Sequence, residues 1–388
     1  MSASGLRCRV ARSIHEFDEA EWDALGAQRT ALTHRWQRAM EAGRRNYQPR
    51  YLLLEDARGP LALAVANLAD TFGRSGWREW LLQRLTLMVR APCSTDPGIA
   101  LRPDAHVGDA LAAITRGLGA LGWRDRRLLL VFNDVPASEL PIWRAQRFLA
   151  FDHQPPTTEL DLTGLSYEGY LAALPYKYRK ELRRQDRRAA ELGLRFEIEP
   201  LTGDSADLFP LMAEIYAQHG TPAERMSFTP ALFPALAREL PGEMIVARGM
   251  VQGELAGFMV GLLERDAIWG SFVGLHYPLA HPTNLYFLLP HAIIRWAIEH
   301  GYRRIFGGMT NYREKQKQGF QLQRRWMCVR TSSGPLNAAL PLAQRLIGRS
   351  SWQPEAALTT AAAQPATLLH EIAGQPAAVI SETVERVS

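Results

Sequence analysis

A lysine placed just after a glycine pair, in Phe306-Gly307-Gly308 … Lys315-x-x-x-Gly319-Phe320, is the strongest chemical signal in this sequence. Such a lysine can polarise a thioester carbonyl or hold a phosphate. Gly307, Gly308 and Gly319 suit close backbone approach to a ligand or positive φ. Tyr286, in the first turn of a helix, can hydrogen-bond a leaving thiolate or an acceptor group. His276 and His219 are the candidate general bases, because an unperturbed imidazole titrates near neutrality. Each of these residues also has an ordinary structural role open to it: surface lysine, plain turn, interfacial aromatic, satisfied histidine. The sequence has no Gly-x-x-x-x-Gly-Lys-Ser/Thr loop, no His-Glu-x-x-His and no Gly-x-Ser-x-Gly. Ten scattered histidines show no metal-ligand spacing, so no metal site is expected.

The elements that must position these residues are legible. Runs 244–250, 254–263 and 267–273 read as three strands joined by the turns Gln252-Gly253 and Arg265-Asp266, an antiparallel meander. A helix follows, with Asn284 as its cap, Leu285, Leu288, Leu289, Ala292, Ile293, Trp296 and Ala297 on one face, and Gly301 at its end. A short strand, 303–306, then runs into Gly307-Gly308. Strand, loop, helix, strand suits acyl transfer. A thioester donor with an amide-containing arm can pair with a sheet edge, and its phosphates can sit on a helix N-terminus. Phe272, Val273, Gly274, Asn284, Leu285, Gly307, Gly308 and Gly319 are therefore the expected donor-binding residues. Backbone amides near 272–274 would stabilise the tetrahedral oxyanion.

The first half has the same order: helices near 17–25 and 33–42, a hairpin over 49–68 turning at 56–59, a helix 104–121 with Gly122 as its C-cap, and a strand 127–132. A helix 167–192 and another at 206–218 open the second half. The fold class is α/β with mixed sheets, as two similar domains at 1–150 and 151–331. A tail follows at 332–388, in which Leu336, Leu340, Ala343 and Ile347 could form one docking helix.

In this order the chain resembles the FemAB-like branch of the GNAT superfamily, including its BioF2-like acetyltransferase groups. The resemblance rests on Ile268-Trp269-Gly270-Ser271-Phe272-Val273-Gly274, Asn284-Leu285-Tyr286-Phe287, the glycine pair with Lys315, and the basic run Lys177-Tyr178-Arg179-Lys180-Glu181-Leu182-Arg183-Arg184. It covers about residues 15–330. It implies tandem GNAT-like domains and transfer of an acyl group from acyl-CoA, or from a carrier-protein thioester, to a small amine or hydroxyl acceptor. Acyl-CoA would be a co-substrate, with no tightly bound cofactor. The loop 276–283 lacks the Gln/Arg-x-x-Gly-x-Gly/Ala signature of typical acetyl-CoA-binding members. The long helical arm of tRNA-dependent Fem ligases is also missing. An aminoacyl-tRNA donor is the second reading, and a degenerate binding or scaffold protein the third.

Composition frames this. The 388 residues carry net charge +5, but 177–188 hold +5 and 303–330 hold +7, on an otherwise acidic chain. Two basic segments suggest an anionic ligand. Three distant cysteines argue against a disulfide framework and fit a reducing cytoplasm. No run approaches the ~20 apolar residues of a membrane span, and no signal-peptide core is evident.

Overall fold

The computed structural model describes residues 5–68, 77–95, 97–152, 155–333, 335–338, 340 and 341. Two mixed sheets form the molecule. The first uses β1 (Arg7–Ala11), β2 (Pro49–Asp56), β3 (Gly59–Asn67), β4 (Thr86–Val89), β5 (Ile99–Leu101), β6 (Leu129–Pro136) and β7 (Leu149–Phe151). The second uses β8 (Thr157–Asp161), β9 (Leu194–Pro200), β10 (Met244–Val251), β11 (Glu254–Glu264), β12 (Ala267–Leu275), β13 (Arg304–Gly308) and β14 (Gln321–Gln323). A last strand, β15 (Arg325–Thr331), leaves the second half and inserts between β6 and β7 of the first sheet. The strand orders are β1-β2-β3-β4-β6-β15-β7, with β5 on β3, and β14-β8-β13-β12-β11-β10-β9. Each sheet contains one parallel pair, β4 with β6 and β12 with β13.

The helices that matter here are α1 (Glu19–Gly26), α2 (His34–Gly43), α3 (Val107–Arg124), α4 (Tyr167–Ala173), α5 (Tyr176–Glu191), α6 (Leu208–Gln218), α7 (Leu232–Glu239), α8 (Leu285–Glu299) and α9 (Tyr312–Lys317). Asp18 and Thr33 cap α1 and α2 by accepting from the backbone N–H of Glu21 and Trp36. Their apolar stripes, with Trp22, Trp36 and Met40, share one core with Leu232 and Phe233 of α7 and Phe258 and Phe272 of the second sheet. A single hydrophobic core therefore joins the two halves. Polar ties reinforce it: Thr30 N–H donates to Glu264 at 2.6 Å, and Arg35 pairs with Glu243 at 2.6 Å. The second core, between α8 and the opposite face of the second sheet, holds Leu285, Leu288, Leu289, Ile293 and Ile294.

Several sequence expectations need correction. The helix expected over 167–192 is two helices, because Pro175 cannot continue α4 and Leu174 before it is extended, with ψ 150°. Gly122, expected as a C-cap, lies inside α3, which runs on to Arg124. Asn284 occupies the N-cap position of α8, but its side chain makes no capping bond and its φ is 51°. Leu336 and Leu340 fall in a helical turn after β15, with Leu340 against Met88, Val131 and Val329. Ala343 and Ile347 lie outside the described residues. Among the described residues no helix is long and apolar enough to cross a membrane.

Candidate active site

The parallel pair in the second sheet is short. Ala267, Ile268 and Trp269 register with Arg304, Ile305 and Phe306, and the strands pair no further. The last rung is closed by Trp269 stacked on Phe306, ring centroids 3.9 Å apart. From Gly270 onward β12 still pairs with β11, but its other edge parts from β13. A bulge at Ser271 accompanies the parting: Val260 faces Phe272 and Gly261 faces Gly270, leaving Ser271 as the extra residue. Bulges of this kind re-aim backbone groups and end pairing. The backbone N–H and C=O groups of 270–273 that do not bond β11 line this parted edge.

A cavity of about 550 Å³ fills this gap, within the range of small-molecule sites. Its wall includes Ser271, Phe272, Val273, Asn284, Tyr286, Gly307, Gly308, Asn311, Glu314, Lys315 and Gln318. Seven of the residues singled out from sequence therefore meet in one place: Lys315, Tyr286, Phe272, Val273, Asn284, Gly307 and Gly308. The glycine at 307 is required by space. A Cβ there would lie 2.8 Å from Thr158 Oγ1, 3.0 Å from Phe320 and 3.4 Å from the Lys315 side chain.

Lys315 is half-buried and donates to the Gly307 carbonyl. Burial disfavours its ammonium and pulls its pKa down to about 8. Asn311 donates to the Tyr286 hydroxyl, whose pKa is raised by burial. Asn284 and Asn311 both adopt left-handed backbone, with φ 51° and 54°, at the starts of α8 and α9. Glu314 pairs with Lys317 at 2.6 Å. Gln318 is 4% exposed, and its Oε1 has no hydrogen-bond partner in the protein. Its amide is held by the Tyr178 hydroxyl, which in turn lies 2.9 Å from His291 Nε2. Burial without a charged partner lowers the His291 pKa to about 4, so the ring is neutral near pH 7.

Other expected residues lie elsewhere. His276 Nδ1 lies 3.1 Å from Glu214 Oε2, and the other oxygen of Glu214 accepts from Tyr277 N–H, which ties the loop to α6. His219 sits exposed at the C-terminal end of α6. Gly274 lies under α6, where a Cβ would come within 2.7 Å of Met212 N. Leu285 is fully buried, and Gly319 makes the positive-φ turn from α9 to β14. None of these five lines the cavity. Sequence reading missed Ser271, Asn311, Glu314 and Gln318. The last three stand with Lys315 at i, i+3, i+4 and i+7, one helical face, which was a usable signal. Among the described residues no cluster suits a metal ion.

The first sheet parts at the equivalent place, after Val89 and Phe132. There Arg90 Nε reaches Asp134 Oδ2 at 3.3 Å, with Asp134 fully buried, so an ion pair occupies that gap.

Comparison with known proteins follows the same line. Residues 176–316 match the acetyltransferase (GNAT) domain family. A search of the curated proteins finds no match. Among solved structures, the chain is similar to the C-terminal domain (DUF2156) assigned to a lysylphosphatidylglycerol synthetase of Agrobacterium fabrum, at 14% identity over 86% of this chain and 97% of that one, TM-score 0.54. It is similar to FemX at 10% identity, over 87% and 100%, TM-score 0.54. It is also similar to a tandem GNAT protein from the clavulanic acid biosynthesis pathway, at 12% identity over 84% and 99%, TM-score 0.52. At these identities the likeness is one of fold, and it accords with the FemAB-like branch read from the sequence. Residues 176–316 match the acetyltransferase (GNAT) domain family, and the fold of the chain as a whole is similar to that of a tandem GNAT protein.

Proposed function

We propose that the chain transfers an acyl group from an acyl thioester, acyl-CoA or a carrier-protein thioester, to a small amine. The observation that carries this is the parting of β12 and β13 beyond Trp269 and Phe306, with a bulge and a cavity in the gap. A pantetheine arm can add to the free edge of β12 through its two amides. The N-terminus of α8, at Asn284 and Leu285, offers a positive helix end for the donor's phosphates.

In the reaction the acceptor nitrogen attacks the thioester carbonyl carbon and a C–N bond forms. The oxyanion that develops is met by backbone N–H groups near Ser271–Val273 and by the Lys315 ammonium. The intermediate collapses, the C–S bond breaks, and the thiolate leaves. The amine proton departs through water, and the thiolate takes one from Lys315 or solvent. Neither His276 nor His219 lines this cavity, so neither is placed to act as the base. Holding both substrates in the gap supplies much of the rate.

One observation favours an aminoacyl-tRNA donor instead. Lys177, Lys180, Arg183, Arg184, Arg187 and Arg188 are exposed along α5, whose Tyr178 packs on Phe287 at the cavity wall, ring centroids 5.4 Å apart. Arg179 is taken up in donating to the carbonyls that end α4, and Arg184 pairs with Glu181. The test is direct competition: acyl-CoA and bulk aminoacyl-tRNA binding at two salt concentrations. Saturable CoA binding, lost in Gly307→Val, supports the thioester reading. Tight, steeply salt-dependent tRNA binding without CoA binding replaces it. Binding without turnover on any amine would identify a binding protein.

A further inference from the structure

The cavity extends beyond what a thioester carbonyl and its oxyanion donors require. Most of its polar side chains, Ser271, Asn284, Tyr286, Asn311, Glu314 and Lys315, come from the parted end of β12 and the starts of α8 and α9. The rest of its wall is largely apolar and includes Met259, Ile268, Ile293, Ile294, Ile305 and Phe320, with Gln318 as its buried polar side chain. These lie at a different level of the same elements. On α8, Ile293 is seven residues past Tyr286, roughly 10 Å along the axis at 1.5 Å per residue. On β12, Ile268 is three residues before Ser271, again roughly 10 Å at the strand rise. The helix and the strand run antiparallel, so both lead from the polar end to the same apolar chamber.

The chamber is built by specific backbone features. Pro290 within α8 lines the cavity and cannot donate to the Tyr286 carbonyl, which leaves that carbonyl without its usual helical donor. Gly270, Gly307 and Gly308 remove side chains from the strand walls. Ordinary cores close such space with side chains. Lys315 and Glu314 are the charged residues of the wall, and both belong to the polar end.

We infer that the chamber receives an aliphatic acyl chain longer than acetyl, with the thioester carbonyl held at the Lys315 end. This rests on the thioester reading above and names its substrate class. Acetyl would leave much of this largely apolar cavity of about 550 Å³ unfilled, whereas a medium chain removes its methylenes from water there. Each fully buried methylene contributes about 0.8 kcal/mol, close to fourfold in affinity.

The experiment is a binding series on the full chain by calorimetry, with CoA, acetyl-, butyryl-, hexanoyl- and octanoyl-CoA, and the same acyl groups on pantetheine. Affinity is expected to climb by up to about fourfold per methylene and then level off, with hexanoyl-CoA at least roughly tenfold tighter than acetyl-CoA. Ile293→Phe fills the chamber and is expected to lower the hexanoyl-to-acetyl ratio; Met259→Phe, from the opposite wall, does the same independently. Equal affinity for every chain length would overturn the inference and leave the thioester reading standing. No binding of any thioester, on CoA or on pantetheine, would overturn the thioester reading and the inference with it.

Discussion

Replacing Lys315 with methionine tests the chemistry of the site most sharply. Methionine keeps an unbranched chain of similar length and removes only the ammonium. The structure sets the scale. Burial moves this amine from 10.5 to about 8, which corresponds to roughly 3 kcal/mol against the charged form in the unliganded site. Such a charge is poorly solvated and gains most when an anionic oxygen develops beside it. Losing one donor to a tetrahedral oxyanion costs about 2.7–4 kcal/mol, a 10²–10³-fold loss of rate. The expected result for Lys315→Met is a fall of about a hundredfold in kcat/KM, carried mainly by kcat. The assay is release of CoA thiol from acyl-CoA in the presence of the amine that an acceptor panel identifies. Folding is checked separately, since removing a half-buried charge should not lower Tm. The pH dependence adds a second reading. The ammonium is the active form here, so kcat/KM of the native chain should decline as pH rises through about 8, and this decline should vanish in the variant. Activity within threefold of native, or a rate that rises through pH 8 as for a general base, would refute the reasoning.

Three further outcomes are expected. Gly307→Val should abolish thioester binding in calorimetry while far-ultraviolet dichroism stays native, because its side chain enters the gap beside Thr158, Phe320 and Lys315. Arg90→Met should destabilise the chain by about 1–2 kcal/mol in urea melts, by removing its 3.3 Å ion pair with buried Asp134 and its hydrogen bonds to the Ser94 carbonyl, yet leave thioester affinity unchanged. His291 should confer acid sensitivity: its folded pKa of about 4 lies below the usual 6.5, so the unfolded chain binds the extra proton between those values. Stability from this group is therefore full above about pH 6.5 and is lost as pH falls toward 4, and His291→Phe should flatten that limb of a Tm-against-pH curve.

Much of the second sheet was legible because its signals are local. The meander turns Gln252-Gly253 and Arg265-Asp266 and the apolar face of α8 declare themselves within a few residues. So did the pairing of a glycine doublet with Lys315. What escaped depends on distant partners. That β15 belongs to the first sheet follows from its fit between β6 and β7, and nothing in Arg325–Thr331 specifies those neighbours. His276 looked like a base, because the carboxylate of Glu214 that holds it lies 62 residues away. Asn284 looked like a cap because asparagine caps helices, but asparagine also tolerates left-handed backbone, and that property is the one used. Gln318 carried no motif at all; its meaning comes from an amide held by Tyr178 and an oxygen left without a partner.

The two halves share an architecture, and their difference lies in the residues that follow the last parallel rung. In the first sheet the strands leave register after Val89 and Phe132, and a charged pair, Arg90 with Asp134, then spans the space. In the second they leave after Trp269 and Phe306, and the next residues are Gly270 on one strand and Gly307-Gly308 on the other. Glycines contribute no side chain, so the gap stays open and its backbone groups stay accessible. The ion pair does the opposite, since its two side chains occupy the space between the strands and Asp134 is fully buried there. The first gap is thereby committed to holding its sheet together, and the second is left to bind. In the proposed reaction the second sheet therefore carries the acyl transfer and the first has a supporting role. It supplies the shared core behind α7, with Trp36 and Met40 packed into the same cluster as Phe233 and Phe272, and so it fixes the strand that carries Phe272 and Val273 into the cavity.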